Sequence, residues 1–343
     1  MMEGMKWKKH GMTAMPRKND TGARRWALLW AVAVWVLGSA AGCRTGEEAA
    51  GMAGSVAVEG RSALEAFSAE RAWRYTEEYV GLGPKPAGGD GSGTAAAAEW
   101  IRRQLEAAGV AAEVREFRDA APSGEGVFRN VTGRIAARGG REGGPMVLLG
   151  AHYDTKTGIE GFVGANDSGS GTGLLLELAR ALAEAPAAVE VRVAFFDGEE
   201  AAVKYGPTDG FHGSRRLAAE MEERGETERL AAMILLDMVG DRELGITLPA
   251  NGSPELTRLA FESARELGVR EKFRLARFAI GDDHVAFAEK GVATVDLIDF
   301  EYGGGPGRNA YWHTAEDTLD KMSAESLGTV GRVVLRMVEK LGE

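Results

Sequence analysis

The chain has 343 residues, 44% of them hydrophobic and 27% charged, a composition that excludes a disordered tail, a collagen-like fibre and a multi-span membrane protein. Its formal net charge of −10 is uneven: residues 1–42 carry seven Lys/Arg against two acids, leaving 34 bases, 49 acids and a net −15 in the remainder. A body that acidic is a poor general partner for nucleic acid phosphates. The single cysteine, Cys43, excludes an intramolecular disulfide and any cysteine-based metal site.

At the N-terminus, residues 26–37 form a twelve-residue apolar run behind Arg24-Arg25, followed by the small residues Gly38 to Gly42. This charged lead, short apolar run and small-residue end predict an export signal over 1–43. The run is short for a membrane span, which needs roughly 20 apolar residues; an uncleaved anchor is the alternative. Ala40-Ala41-Gly42-Cys43 resembles a bacterial lipobox, which implies lipidation of Cys43. The expectation is an exported protein, periplasmic, held at the outer membrane as a lipoprotein, or secreted, that meets a membrane only through this segment. Residues 44–62 are mostly Gly, Ala, Glu and Ser and predict a flexible tether. The remainder, 63–343, is expected to fold as a single α/β domain.

Helical spacing covers Ala63–Tyr79 and Ala95–Ala108. Apolar strand-like runs follow at Val131–Ile135, Met146–His152, Val189–Phe196, Met233–Met238 and Val292–Ile298. Helical stretches at Gly173–Ala185, Ser214–Glu223, Pro254–Leu267 and Ser323–Lys340 separate or follow them. Near-continuous apolar strands alternating with helices predict a buried, mostly parallel sheet covered on both faces. In such folds chemistry collects beyond the carboxyl ends of the strands.

Those ends carry acids and histidines. Met146–His152 leads into Asp154; Gly164-Ala-Asn-Asp167 precedes a helix; Val189–Phe196 delivers Asp197-Gly-Glu199-Glu200; Met233–Leu236 delivers Asp237. Gly281-Asp282-Asp283-His284 opens another helix, and Tyr311-Trp312-His313 follows a glycine-rich segment. Singly, each has an ordinary explanation. Asp167 suits a helix N-cap, adjacent glutamates in a loop are commonly solvated, and Trp312 suits a core. Together, His152, Asp167, Glu199, Glu200, Asp237 and His313 are better explained by one metal site than by six independent caps. Histidine and carboxylate ligands without cysteine suit a catalytic zinc.

In order, His152-Tyr-Asp154, Gly164-Ala-Asn-Asp167-Ser, Phe195-Phe-Asp-Gly-Glu199-Glu200, Gly213-Ser-Arg215, Leu236-Asp237 and Trp312-His313-Thr314 resemble the zinc aminopeptidase and glutaminyl cyclase superfamily. The resemblance covers about residues 75–343 and implies a three-layer α/β/α sandwich with a mixed, mostly parallel sheet. It implies zinc ligands Asp167, Glu200 and His313, with His152 and Asp237 holding a second metal in the two-zinc aminopeptidases. Glu199 matches the acid/base carboxylate. In the one-zinc cyclases Asp237 and Asp283 join Glu199 in an acidic network, and Trp312 and Tyr205 line the substrate pocket. The insertion Ala201–His212 resembles the cyclase form, since aminopeptidases pass almost directly from the glutamate pair to Gly-Ser-Arg. Tyr205 and Asp296 depart from the animal cyclases, which place Trp and His there. The implied function is cyclisation of an N-terminal glutamine to pyroglutamate with release of ammonia, on peptides with a free N-terminus. A di-zinc aminopeptidase and a non-catalytic surface lipoprotein are the alternatives.

Overall fold

The structure is a computed structural model, described for residues 61–140, 142–305 and 307–343. The expected signal, Cys43 and nearly all of the expected tether lie outside the described residues. Strands β1 (Ala111–Ala121) and β2 (Gly124–Ile135) form a hairpin, followed by β3 (Met146–His152), β4 (Glu190–Phe196) and β5 (Leu230–Asp237). Short β6 (Ile246–Leu248) and β7 (Phe273–Leu275) precede β8 (Thr294–Ile298). The sheet order is β1-β2-β4-β3-β5-β8-β6-β7. The four central strands β4, β3, β5 and β8 are parallel; β1 and β2 at one side, and β6 against β8, run antiparallel.

Both faces of this sheet are buried, as the apolar runs predict. Along β3, Val147, Leu149 and Ala151 enter the larger core, while Met146 and Leu148 enter a second core with Phe196, Leu217 and Phe287. That period of two is the signature of a strand covered above and below. The larger core is closed by helices α2 (Ala69–Val80), α3 (Ser92–Ala107), α4 (Gly169–Glu184), α6 (Pro254–Glu266) and α8 (Ala324–Leu341). The other is closed by α5 (His212–Glu223) and α7 (His284–Ala288). The three-layer α/β/α architecture with a mixed sheet is therefore as expected.

Three details differ. The helix expected over Ala63–Tyr79 is broken into a single turn, α1 (Ala63–Ala66), and α2. Ser68 is extended between them, caps α2 through Arg71 N–H and donates its own N–H to the buried Glu177. A charge far along the chain thus outweighs the local helical pattern. Strand β1 has no apolar periodicity because it is an edge strand, with only Phe117 buried; it is extended because β2 pairs with it along its whole length. The tether ends earlier than expected: Ser62 already caps the first turn and Arg61 pairs with Glu184 at 2.7 Å.

The glycines that open α4 let it approach its neighbours. A Cβ on Gly171 would lie 2.4 Å from the Leu236 carbonyl oxygen, and one on Gly173 would lie 2.1 Å from Thr76 Oγ1 and 2.7 Å from its backbone nitrogen. Gly173→Ala gains about 1 kcal/mol of helix propensity, yet overpacking at a backbone contact costs more. The expected net loss is about 2 kcal/mol, read as a lower urea midpoint with an unchanged m-value; an unchanged midpoint would show that α2 simply moves aside.

Candidate active site

The carboxyl ends of the central strands converge on one acidic pocket. His152 ends β3, Asp237 ends β5, and β4 runs directly into Asp197-Gly198-Glu199-Glu200. Asp154, fully buried, braces this arrangement: its two oxygens accept the backbone N–H groups of Glu199 and Glu200, each at 3.1 Å, and Oδ1 faces His152 Nδ1 at 3.5 Å. Asp167 lies in the turn before α4. It forms no side-chain cap on that helix, so the capping explanation fails. His313 arrives from the long loop after β8 with a left-handed backbone, φ 54°, a conformation that a non-glycine residue holds only where its surroundings demand it.

Asp167 is the centre of two donor groups. His152 Nε2 lies 3.1 Å from Asp167 Oδ1 and 3.3 Å from Asp237 Oδ1. His313 Nε2 lies 3.3 Å from Asp167 Oδ2 and 2.9 Å from Glu200 Oε1. In each triad, His152/Asp167/Asp237 and Asp167/Glu200/His313, one donor atom per residue lies within 4.8 Å of the others. The residues fit a divalent cation on their own chemistry. Buried Asp167 Oδ2 and Asp237 Oδ1 have no hydrogen-bond partner among the described residues, an expensive condition that a bound cation removes. Although burial opposes it, the carboxylates of Asp167 and Glu200 raise the His313 ring to about 9. Burial likewise pushes Asp167 up, but the His152 and His313 rings that face it outweigh this and hold the carboxyl below its usual range. Such a field attracts positive charge.

Around these triads stands a second set of acids. Burial, then the neighbouring Glu200, raises Glu199 well above the ordinary glutamate range. Burial raises Asp237 as well. Asp283, expected beside them, is placed differently. It is fully buried as the residue before α7, and its neighbour Asp282 lines the cavity instead. Successive residues entering a helix turn by about 100°, so only one of the pair faces the pocket. Asp282 is raised well above its usual range by burial, then by Asp296. Asp296 itself lies inside β8, fully buried, with neither oxygen partnered among the described residues.

The cavity measures about 220 Å³ and is lined by Asp167, Glu199, Glu200, Asp237, Asp282 and His313 and by Tyr205, Phe278, Ile280, Ile298, Phe300 and Trp312. Trp312 stacks on His313 with ring centroids 4.0 Å apart and meets Phe300 edge-on at 5.2 Å; half-buried against the small apolar cluster of Met238, Ile280, Ile298 and Tyr302, it also forms a wall of the pocket. Tyr205 is brought in by the 201–210 loop, whose turn is tied by Asp209 accepting the N–H groups of Ala202, Val203 and Lys204. Its hydroxyl donates to Glu199 and Glu200 at 3.3 and 3.2 Å. Lys156 Nζ sits 3.3 Å from Glu200 Oε2, a neighbour that the sequence did not single out.

Residues 130–338 match the model of peptidase family M28. The chain belongs to peptidase family M28. Within the family its likeness runs to glutaminyl cyclases. The chain is 34% identical to a solved Acidobacteriales bacterium glutaminyl cyclase, covering 80% of this chain and 95% of that one with a TM-score of 0.73. A Porphyromonas gingivalis glutaminyl cyclase is 28% identical, covering 80% and 99% with a TM-score of 0.70. The mouse glutaminyl-peptide cyclotransferase-like protein is 30% identical over 71% of this chain and 70% of its own length. The resemblance read from the motifs is thus borne out.

This M28 site also depends on a residue that sequence reasoning missed. Asp317, fully buried, accepts the backbone N–H groups of Asn166 at 2.8 Å and Asp167 at 3.1 Å, and the Tyr302 hydroxyl at 2.8 Å. It lies four residues after His313, so it ties the His313 loop to the Asp167 turn and sets the distance between two donors 146 positions apart. An acid closely following a ligand histidine was the available signal, but its partners are invisible in sequence. Asp317→Ala leaves two buried N–H groups unpaired, at about 1–3 kcal/mol each. Stability is expected to fall by about 3 kcal/mol in urea titration, and metal affinity by roughly tenfold or more in a chelator competition. Unchanged metal affinity would show that the turn holds its shape alone.

Proposed function

We infer that this chain is a zinc-dependent glutaminyl-peptide cyclotransferase that converts N-terminal glutamine to pyroglutamate. The observation that carries this reading is the small size of the acidic pocket. At about 220 Å³, between Tyr205 and Trp312, it suits one glutamine side chain with its α-amine, and the tied 201–210 loop supplies one wall. Similarity to glutaminyl cyclases over most of the chain points the same way.

Asp167, Glu200 and His313 would hold the zinc. When bound, it supplies Lewis-acid polarisation of a carbonyl oxygen. The rest falls to the protein. Trp312, Tyr205 and Ile298 confine the side chain so that the α-amine nitrogen meets the side-chain amide carbon, which replaces lost freedom with proximity. That nitrogen forms the new C–N bond, the old bond to the amide nitrogen breaks, and ammonia leaves. Glu199, whose elevated affinity for protons suits an acid/base at neutral pH, takes one proton from the amine and delivers it to the departing nitrogen. Asp237 and Asp282 line the same cavity and share the excess charge, so that Glu199 can cycle between its two forms.

One observation favours a second reading. The His152/Asp167/Asp237 triad is as complete as the first, which is the arrangement a di-zinc aminopeptidase needs; Glu199 would then deprotonate a water molecule that attacks the first peptide bond. Against the non-catalytic alternative stands the full set of donors. Incubating a Gln-initiated peptide with zinc-loaded protein separates the readings by mass. Loss of one ammonia from an intact chain, faster than spontaneous cyclisation, supports the cyclase; release of the first residue overturns it.

A further inference from the structure

A groove of about 570 Å³ lies beside the pocket, between α6 and the 249–252 and 270–275 segments. Three arginines line it, Arg258, Arg265 and Arg270, against one carboxylate, Glu262. Among the described residues none of the three is ion-paired, although ion pairs are abundant elsewhere on this acidic protein. A comparable groove of about 490 Å³ at the other end of the sheet shows the difference: its Arg115, Arg134, Arg192 and Arg224 are all matched by glutamates. Of the three, Arg270, just beyond α6, is held in place. Arg270 stacks over Phe261 at 3.9 Å and donates to the Phe273 carbonyl at 2.6 Å.

The groove and the pocket share a wall. Ala250 lines the groove and Phe278 lines the pocket, and the Ala250 N–H donates to the Phe278 carbonyl at 2.9 Å. Asn251 fastens the same wall to Ile280 through both amide atoms. Along its crest run two of the few exposed large apolar side chains, Phe278 at 52% on the pocket side and Leu275 at 60% on the groove side. Three residues of extended chain span at most about 10 Å, and one backbone hydrogen bond joins the two linings, so a peptide leaving the pocket needs only a few residues to reach the groove. Strand β7 is the last of the sheet, and no described strand pairs its outer side, an edge that an extended peptide can follow.

We propose that this groove is a downstream subsite that selects peptides carrying acidic side chains at about the fourth to sixth positions, with apolar residues crossing Phe278 and Leu275. This deepens the cyclase reading and rests on it for the identity of the first residue. Negative charge on the substrate meets an unneutralised basic cavity next to the site, while the acidic pocket itself receives the N-terminal amine. Acidic side chains further along the peptide are therefore complementary to the groove and not to the pocket.

The test compares Gln-Phe-Ala-Ala-Glu-Glu with Gln-Phe-Ala-Ala-Gln-Gln, with Gln-Phe amide as the short reference. At low salt the acidic peptide is expected to show a KM about tenfold lower than the neutral one, a ratio that falls toward one at 0.5 M salt. In the Arg258→Glu/Arg265→Glu protein the ratio falls to one or inverts. Equal KM values in the parent protein, or a preference that survives the charge reversal, overturn the subsite. If Gln-Phe amide is not cyclised at all, the cyclase reading fails by itself. Fluorescence anisotropy of a rhodamine-labelled acidic peptide, displaced by unlabelled acidic but not neutral peptide, then still decides the groove.

Discussion

Glu199→Gln is expected to lower kcat for pyroglutamate formation by about 10²–10⁴-fold, the range in which a positioned acid/base contributes. The substitution preserves shape and removes only the proton-exchanging group. It also relieves the repulsion from Glu200 that helps to raise Glu199, so stability should hold or rise slightly. Metal content should not change, because neither donor triad includes Glu199. Steady-state kinetics together with metal analysis of the same sample checks this. A variant retaining more than a tenth of the parent rate would remove Glu199 from the proton path and shift attention to Asp282, which lines the same cavity.

Stripping the metal should have a comparable effect on activity and a separate effect on stability. A ligand held at a thousandfold over its Kd stabilises the folded state by about 4 kcal/mol. For a domain of this size that corresponds to a Tm loss of roughly 8 °C on chelation, restored by added zinc. Asp167→Ala should abolish both the activity and the chelator-dependent shift, since Asp167 is the one residue common to both triads. Asp237→Ala should leave the Asp167/Glu200/His313 group able to bind. Elemental analysis giving one metal per chain, unchanged in Asp237→Ala, agrees with the cyclase. Two per chain, falling to one in that variant, would instead favour the aminopeptidase reading. A chelated protein with full activity would sink both.

The loop carrying Tyr205 bears on the same choice. Its turn hangs on Asp209, which accepts three consecutive backbone N–H groups, and Arg215 from α5 grips it through the carbonyls of Gly206 and Pro207. The insertion is therefore a built element that narrows the pocket. A narrow pocket selects a substrate whose reacting groups are already on one residue, which is the situation of an N-terminal glutamine.

Much of this was legible in the chain itself. Val147 and Leu148 face opposite cores because a strand alternates by geometry, so the buried central strands and their two-sided cover could be read from apolar runs alone. The same runs place His152, Glu199, Glu200 and Asp237 at strand ends, and parallel strands bring such ends together whatever lies between them. Other features depended on partners remote in sequence. Ser68 breaks a helical pattern because Glu177 waits beside it, and β1 is a strand only because β2 pairs with it. Asp282 and Asp283 are the same residue type one position apart, and only the direction of the chain entering α7 decides which faces the cavity. Asp317 acquires its role through backbone groups about 150 positions away. The sequence by itself determined the layers, the sheet and the identity of the donors, because burial and periodicity are local properties. Only the tertiary structure decided which acids share the pocket, what braces the donors and where unmatched arginines stand beside it, because each is a distance between residues that the chain order does not relate.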